Sequence, residues 1–211
     1  MALLQKISEE LINGNHVDVS KLTQEALDQG ISPAEILRYG LVVGMHEVGE
    51  RFRRDEFFLP EVLVAAKAMQ TAMLVLRPKL VETKAKAAGT IVIGTIQGDL
   101  HDIGKNLVGM FFEGAGCQVY DLGVDVTPEL FVEAVRTYRP HVVCLSALLT
   151  TTMSRMRNVI ESLTAAGLRD SVKVMVGGAP VTEEFARDIG ADGYSPDAAG
   201  AVEKARFILR S

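Results

Sequence analysis

In the stretch Gly98-Asp99-Leu100-His101-Asp102-Ile103-Gly104-Lys105-Asn106, one imidazole lies two residues after a carboxylate and directly before another, with a glycine on either side. Such a set can bind a metal, perform acid–base chemistry or do neither. An imidazole that ligates a metal commonly donates its other ring N–H to a carboxylate, which fixes the tautomer and raises the basicity of the ligating nitrogen. Asp99 is spaced for that task. A single protein ligand does not hold a bare transition ion, and the other histidines, His16, His46 and His141, lie elsewhere in the chain. If His101 binds a metal, the remaining ligands must arrive with a cofactor. Two later blocks carry compatible chemistry: Ser146 and Leu148, followed by Thr150, Thr151 and Met153, and the pair Gly177-Gly178, where backbone can approach a bulky ligand closely.

The elements that must position these residues follow from periodicity. Thr90–Ile96, Gln118–Leu122, His141–Ser146 and Val172–Val176 are short β-branched or apolar runs, with a weaker fifth at Gly193-Tyr194, and each is followed by a helical pattern. Alternating strands and helices predict a doubly wound α/β domain with a parallel sheet, whose ligands bind beyond the C-terminal strand ends where the strand order reverses. With order 2-1-3-4-5, the loops after strands 1 and 3 are neighbours there, and Gly177-Gly178 ends the next strand along.

Before residue 82 the spacing is helical throughout: Leu3, Leu4, Ile7 and Leu11; then Val19, Leu22 and Ala26; then Ile36, Leu37, Gly40, Leu41, Gly44 and Val48. Ser32, Pro33 and Glu35 form the start signal of the third helix. A break at Arg54-Asp55-Glu56 precedes a fourth helix from about Pro60 to the proline at 78. These predict a four-helix bundle. Glu82 to Ala88 is polar and small and reads as a linker, so the domains are 1–88, a helical cap with linker, and 89–211, a Rossmann-like five-stranded domain.

With 211 residues, 48% of them apolar, and a net charge of -5, the chain can bury large cores and offers no electrostatic footprint for nucleic acid. Met1 to Glu10 shows no signal-peptide pattern, and no run of some 20 apolar residues occurs. The expectation is a cytoplasmic protein without membrane or nucleic-acid partners, in which Cys117 and Cys144 are buried thiols. Gly94, Gly98 and Gly104 miss the dinucleotide spacing, and no phosphate-loop Lys-Ser/Thr occurs.

Taken together, Asp99-x-His101-x-x-Gly104, Ser146-x-Leu148 and Gly177-Gly178 resemble the cobalamin-binding signature DxHxxG…SxL…GG. Gly44-x-x-x-Val48-Gly49 and Phe58-Leu59-Pro60-Glu61 resemble the helical cap of methionine synthase and of the corrinoid proteins of methyltransferase systems. The resemblance implies that His101 replaces the cofactor's own base as lower axial ligand of cobalt, with Asp99 behind it and Ser146 completing a triad. It also implies a slot for the nucleotide tail at Gly104, Ser146, Leu148, Gly177 and Gly178. Thr150, Thr151 and Met153 would border the corrin, and Tyr194 and Asp197 the far wall. Gly98, Leu100, Asp102 and Ile103 complete the implied cofactor-binding set.

The implied activity is methyl carriage, as a non-autonomous subunit. A donor-specific methyltransferase, an acceptor methyltransferase using tetrahydrofolate or a thiol coenzyme, and a reductive activase would be its partners. A sensory cobalamin module and the cobalamin subunit of a mutase are the alternatives; light-sensing caps use a Trp, which this chain lacks. His101-Asp102 also reads as a phosphohydrolase dyad, but the helical His and Asp ligands such enzymes need are missing. Met45, Val48, Phe52, Phe57, Phe58 and Leu59 could cover the upper cobalt face, or simply form bundle core.

Overall fold

The computed structural model describes residues 2–82 and 87–209. The chain divides into two compact units, one running to Ala88 and including Gly114–Gly116, the other comprising Gly89–Glu113 and the chain from Cys117 onward. Of the expected linker, residues 83–86 lie outside the described residues.

The first unit is helical. Helices α1 (Ala2–Ile12) and α2 (His16–Asp28) bury Leu4, Ile7 and Leu11, and Val19, Leu22 and Ala26. The third helix, α3, opens at Pro33–Glu35, passes through a π-helical stretch at Ile36–Leu41 and continues through Val42–Arg53. Its start is a capping box: the Glu35 N–H donates to Ser32 Oγ at 3.3 Å, and the Ser32 N–H donates to Glu35 Oε2 at 3.3 Å. The π turns were invisible to a pattern search at 3.6 residues per turn, because Ile36 and Leu41 stay buried on either side of them. Gly40 and Gly44 let α3 lie close on α1, since an added Cβ would come within 3.2 Å of Ile7 and within 3.1 Å of Leu11.

Helix α4 (Leu59–Glu82) begins with the Glu61 carboxylate accepting the Phe58 N–H at 2.9 Å. It corrects the expected end, for it continues past Pro78. Pro78 removes the bond to the Leu74 carbonyl, and both residues lie on the exposed side, where water can take that bond. By length and average hydropathy, Leu59–Leu80 matches a membrane-crossing segment. Here Val62, Ala65, Ala66, Met69, Ala72 and Leu76 are core of the helical unit.

The second unit is a five-stranded parallel sheet of order β2-β1-β3-β4-β5, with β1 Thr90–Thr95, β2 Gln118–Asp121, β3 Val142–Ser146, β4 Lys173–Gly177 and β5 Gly193–Tyr194. All pairs are parallel. The helices are α5 (Ile103–Gly114), α6 (Pro128–Tyr138), α7 (Thr150–Met153), α8 (Arg155–Ala165), α9 (Glu183–Asp188) and α10 (Ala198–Ile208). One core layer sets Val92, Val143, Leu145, Val174 and Val176 of the sheet against Phe131, Met156 and Leu163 of the helices. The register decides the site: Thr95 pairs with Ser146, and Ser146 with Gly177. The three blocks picked out in the sequence therefore leave the sheet side by side, with β1 and β3 adjacent at the point where the order reverses.

Candidate functional site

The loop after β1 turns at Gly98 (φ 81) and carries Asp99 inward. Asp99 is 0% exposed and accepts five hydrogen bonds. Its Oδ1 receives the His101 ring through Nδ1 at 2.7 Å and the His101 N–H at 3.1 Å. Its Oδ2 receives the Leu148 N–H at 2.9 Å, the Leu149 N–H at 3.2 Å and the Thr152 hydroxyl at 2.8 Å. Burial acts to raise the Asp99 pKa, but donation from Leu148, His101 and Thr152 overrides it and holds the carboxyl well below the usual range. Asp99 is therefore a permanent anion, and its bond to Nδ1 leaves Nε2 of His101 as the nitrogen available to a ligand. The His101 side chain is 51% exposed.

Other residues hold this loop. The buried Thr95 hydroxyl donates to the His101 carbonyl at 2.8 Å. Arg155 Nη1 donates to the Gln97 carbonyl at 3.2 Å, and Asp125 Oδ1 accepts the Gly98 N–H at 2.6 Å. Around the imidazole, Leu100 (71% exposed), Ile103 (70%), Leu148 (45%) and Leu149 (41%) present large apolar side chains to solvent.

The remaining expected site residues have defined places. Ser146 ends β3 and gives its carbonyl to the Ile96 N–H at 3.0 Å. Among the described residues no hydrogen bond joins its hydroxyl to Asp99 or His101; Thr152 occupies the place the resemblance implies for Ser146. The chain turns after β3 so that the first turn of α7, not the strand end, reaches the carboxylate. Thr150 and Thr151 open α7 on its exposed side, and Met153 packs partly into the core. Gly104 lies in the first turn of α5, where an added Cβ would meet nothing within 4 Å.

Gly177 ends β4, and Gly178 (φ 124) lies so close to β3 that an added Cβ would fall 1.9 Å from the Ala147 carbonyl oxygen. Glycine at 178 is thus required by the protein's own backbone. Tyr194, in β5, packs on the core, and Asp197 caps α10, its Oδ1 accepting the Gly200 N–H at 2.7 Å. The Asp102 carboxylate accepts from Asn106 Nδ2 at 3.1 Å at the start of α5.

Lys105 is 3% exposed, so it is not a solvated side chain; it pairs with Asp121 at the end of β2 and donates to Asn106 Oδ1 at 2.6 Å. In the helical unit, Met45 and Val48 are core, while Phe58 and His46 are exposed.

Sequence reasoning missed Thr152, Thr95 and Asp125. Thr152 stands in a run of three threonines, and only the pitch of α7 selects the one that faces Asp99.

Residues 89–203 match the family model described as a B12 binding domain, and residues 3–77 match a second model of the same description. The chain is 44% identical over 209 residues to trimethylamine corrinoid protein 1 of Methanosarcina acetivorans, covering 98% of this chain and 97% of that one. Its structure is similar to a chain of the methanol:cobalamin methyltransferase complex MtaBC from Methanosarcina barkeri, with TM-score 0.88 and 31% identity over 100% of this chain and 80% of that one. It is also similar to a cobalamin-binding protein from Desulfitobacterium hafniense, with TM-score 0.81 and 32% identity over 97% of this chain and 98% of that one.

Proposed function

Because this chain belongs to the B12-binding domain family and so binds cobalamin or another corrinoid, we propose that it is a corrinoid carrier that passes methyl groups between separate methyltransferases, with His101 as the lower axial ligand. The residues present fit the cofactor. His101 would hold the metal of a corrinoid through Nε2, with Asp99 behind the ring. The single observation that carries the reading is the half-exposed His101 ring with Nδ1 tied to the buried carboxylate of Asp99, which leaves Nε2 as the nitrogen free to meet a metal. The exposed apolar side chains at Leu100, Ile103, Leu148 and Leu149 suit the broad face of such a ligand.

Bound cobalt would supply both the nucleophile and the leaving group of methyl transfer. The chain's own residues orient and tune. Asp99 fixes the imidazole tautomer, Thr95 pins the His101 backbone, and Thr152, Leu148 and Leu149 keep Asp99 charged. The similarity to a trimethylamine corrinoid protein favours a methylamine as donor, read by the pocket of a partner methyltransferase. An acceptor methyltransferase using tetrahydrofolate or a thiol coenzyme, a reductive activase and a cytoplasmic location complete the proposal.

The test is reconstitution with cobinamide, a corrinoid without a base of its own, so that a nitrogen below the metal can come only from the protein. Wild-type protein is expected to show the visible spectrum of a corrinoid with an imidazole below the metal, and His101→Ala to lose it while keeping its fold by circular dichroism. An unchanged spectrum in His101→Ala would overturn the ligand assignment. Methylation of the reduced carrier by trimethylamine, dependent on an added partner methyltransferase, tests the donor.

A further inference from the structure

The connection between β2 and α6 runs alongside the His101 loop and is stitched to it. The Thr95 N–H donates to the Gly123 carbonyl and the Val126 N–H to the Thr95 carbonyl, both at 3.0 Å. Asp125 holds the two peptides that flank the Gly98–Asp99 bond: its N–H donates to the Asp99 carbonyl at 3.0 Å, and its Oδ1 accepts the Gly98 N–H at 2.6 Å. Asp125 does this at φ 55, a left-handed conformation that is strained for an L residue and that glycine adopts freely. Two residues earlier the same connection uses glycine, Gly123, at φ 84. A turn alone would be served as well by glycine at 125. The aspartate is explained by its side chain, which reaches 27 residues back to the loop that carries His101.

We propose that Asp125 is a positioning residue for His101: its carboxylate fixes the Gln97–Gly98 peptide, just before Asp99, and through it the direction in which Asp99 holds the imidazole toward the metal. This rests on the reading of His101 as axial ligand. Asp99 is anchored on its Oδ2 side by α7 and on its backbone side by Asp125, so the ring inherits its place from two separate elements. A ligand must be held to within about half an ångström to keep a constrained bond, and such precision comes from the groups behind it.

Two substitutions separate a clamp from a turn residue. Asp125→Asn keeps an acceptor oxygen and tolerates the left-handed backbone, whereas Asp125→Gly relieves the backbone and removes the acceptor. In full-length, cofactor-free protein, the Gly98 amide is expected to exchange about tenfold faster in Asp125→Gly and at the wild-type rate in Asp125→Asn. The full-length proteins are then loaded with cobinamide, a corrinoid without a nitrogen base of its own, and reduced to cobalt(II), and paramagnetic resonance measures the fraction whose signal is split threefold by an axial nitrogen. That fraction is expected to be wild-type in Asp125→Asn and several-fold lower in Asp125→Gly. A wild-type fraction in Asp125→Gly overturns the proposal, whether or not the Gly98 amide is exposed. Absence of splitting in wild-type protein overturns the axial-ligand reading and this proposal with it, a failure distinct from that of the clamp alone.

Discussion

Asp99 is a buried charge made stable by five donors. Replacing it with asparagine turns an NH2 group toward donors whichever way the amide is flipped, either Leu148, Leu149 and Thr152 or the two N–H groups of His101. Asp99→Asn is expected to cost about 1–3 kcal/mol in urea unfolding of the cofactor-free protein. Unchanged stability would mean that the donors find other partners. The thiols behave in the opposite sense. Burial pushes Cys117 up to about 11 and Cys144 up to about 12. These are acids whose folded pKa is raised, so their contribution to stability is complete below the unfolded thiol value of about 8.5 and is lost as pH rises from there toward 11–12. Alkylation at pH 8.5 is expected to be slowed in the folded protein relative to the protein in urea, on the order of a hundredfold at Cys117 and a thousandfold at Cys144. Equal rates would show that the sites open readily.

Among the elements, α3 depends on its first turn. The Ser32 side chain, then its backbone N–H, lower the Glu35 pKa, so the stabilisation is present above the ordinary carboxylate range and is lost as pH falls through that range toward the depressed value. Ser32→Ala is expected to cost about 1 kcal/mol at neutral pH and to flatten the acid limb of the stability profile. Thermal unfolding of both proteins between pH 3 and 7 measures this. The β3 and β4 ends depend on Gly178. An alanine there brings a Cβ onto the Ala147 carbonyl at a φ of 124, so Gly178→Ala is expected to cost about 3 kcal/mol or more, or to force the two loops apart. A melting temperature equal to wild type would show that the loops part without cost.

For the molecule as a whole, two separate cores share one chain. Hydrogen exchange should report them separately: Gly178→Ala is expected to speed exchange along β3 and β4, and Ser32→Ala along α3, each sparing the other unit. Acceleration throughout the chain by either variant would show that the units unfold together. The residues proposed to hold the cofactor's metal lie in the sheet unit, on loops leaving three neighbouring strands.

What the sequence determined by itself was what local periodicity and motif spacing can carry. Helices with apolar faces, β-branched runs alternating with helices, the Ser32 and Glu35 box, and the His101, Ser146 and Gly177-Gly178 blocks were all legible because each is a pattern within a few residues or a resemblance of whole blocks. The continuation of α4 past Pro78 was not, since local preference argues for a stop there and only an exposed position makes continuation cheap. The tertiary structure decided who partners Asp99. The choice between Ser146 and Thr152 depends on how the chain turns after β3, and the roles of Thr95 and Asp125 depend on register across the sheet. Hydrogen bonds spanning 27 and 53 residues leave no local signal, because their geometry exists only once the strands are side by side.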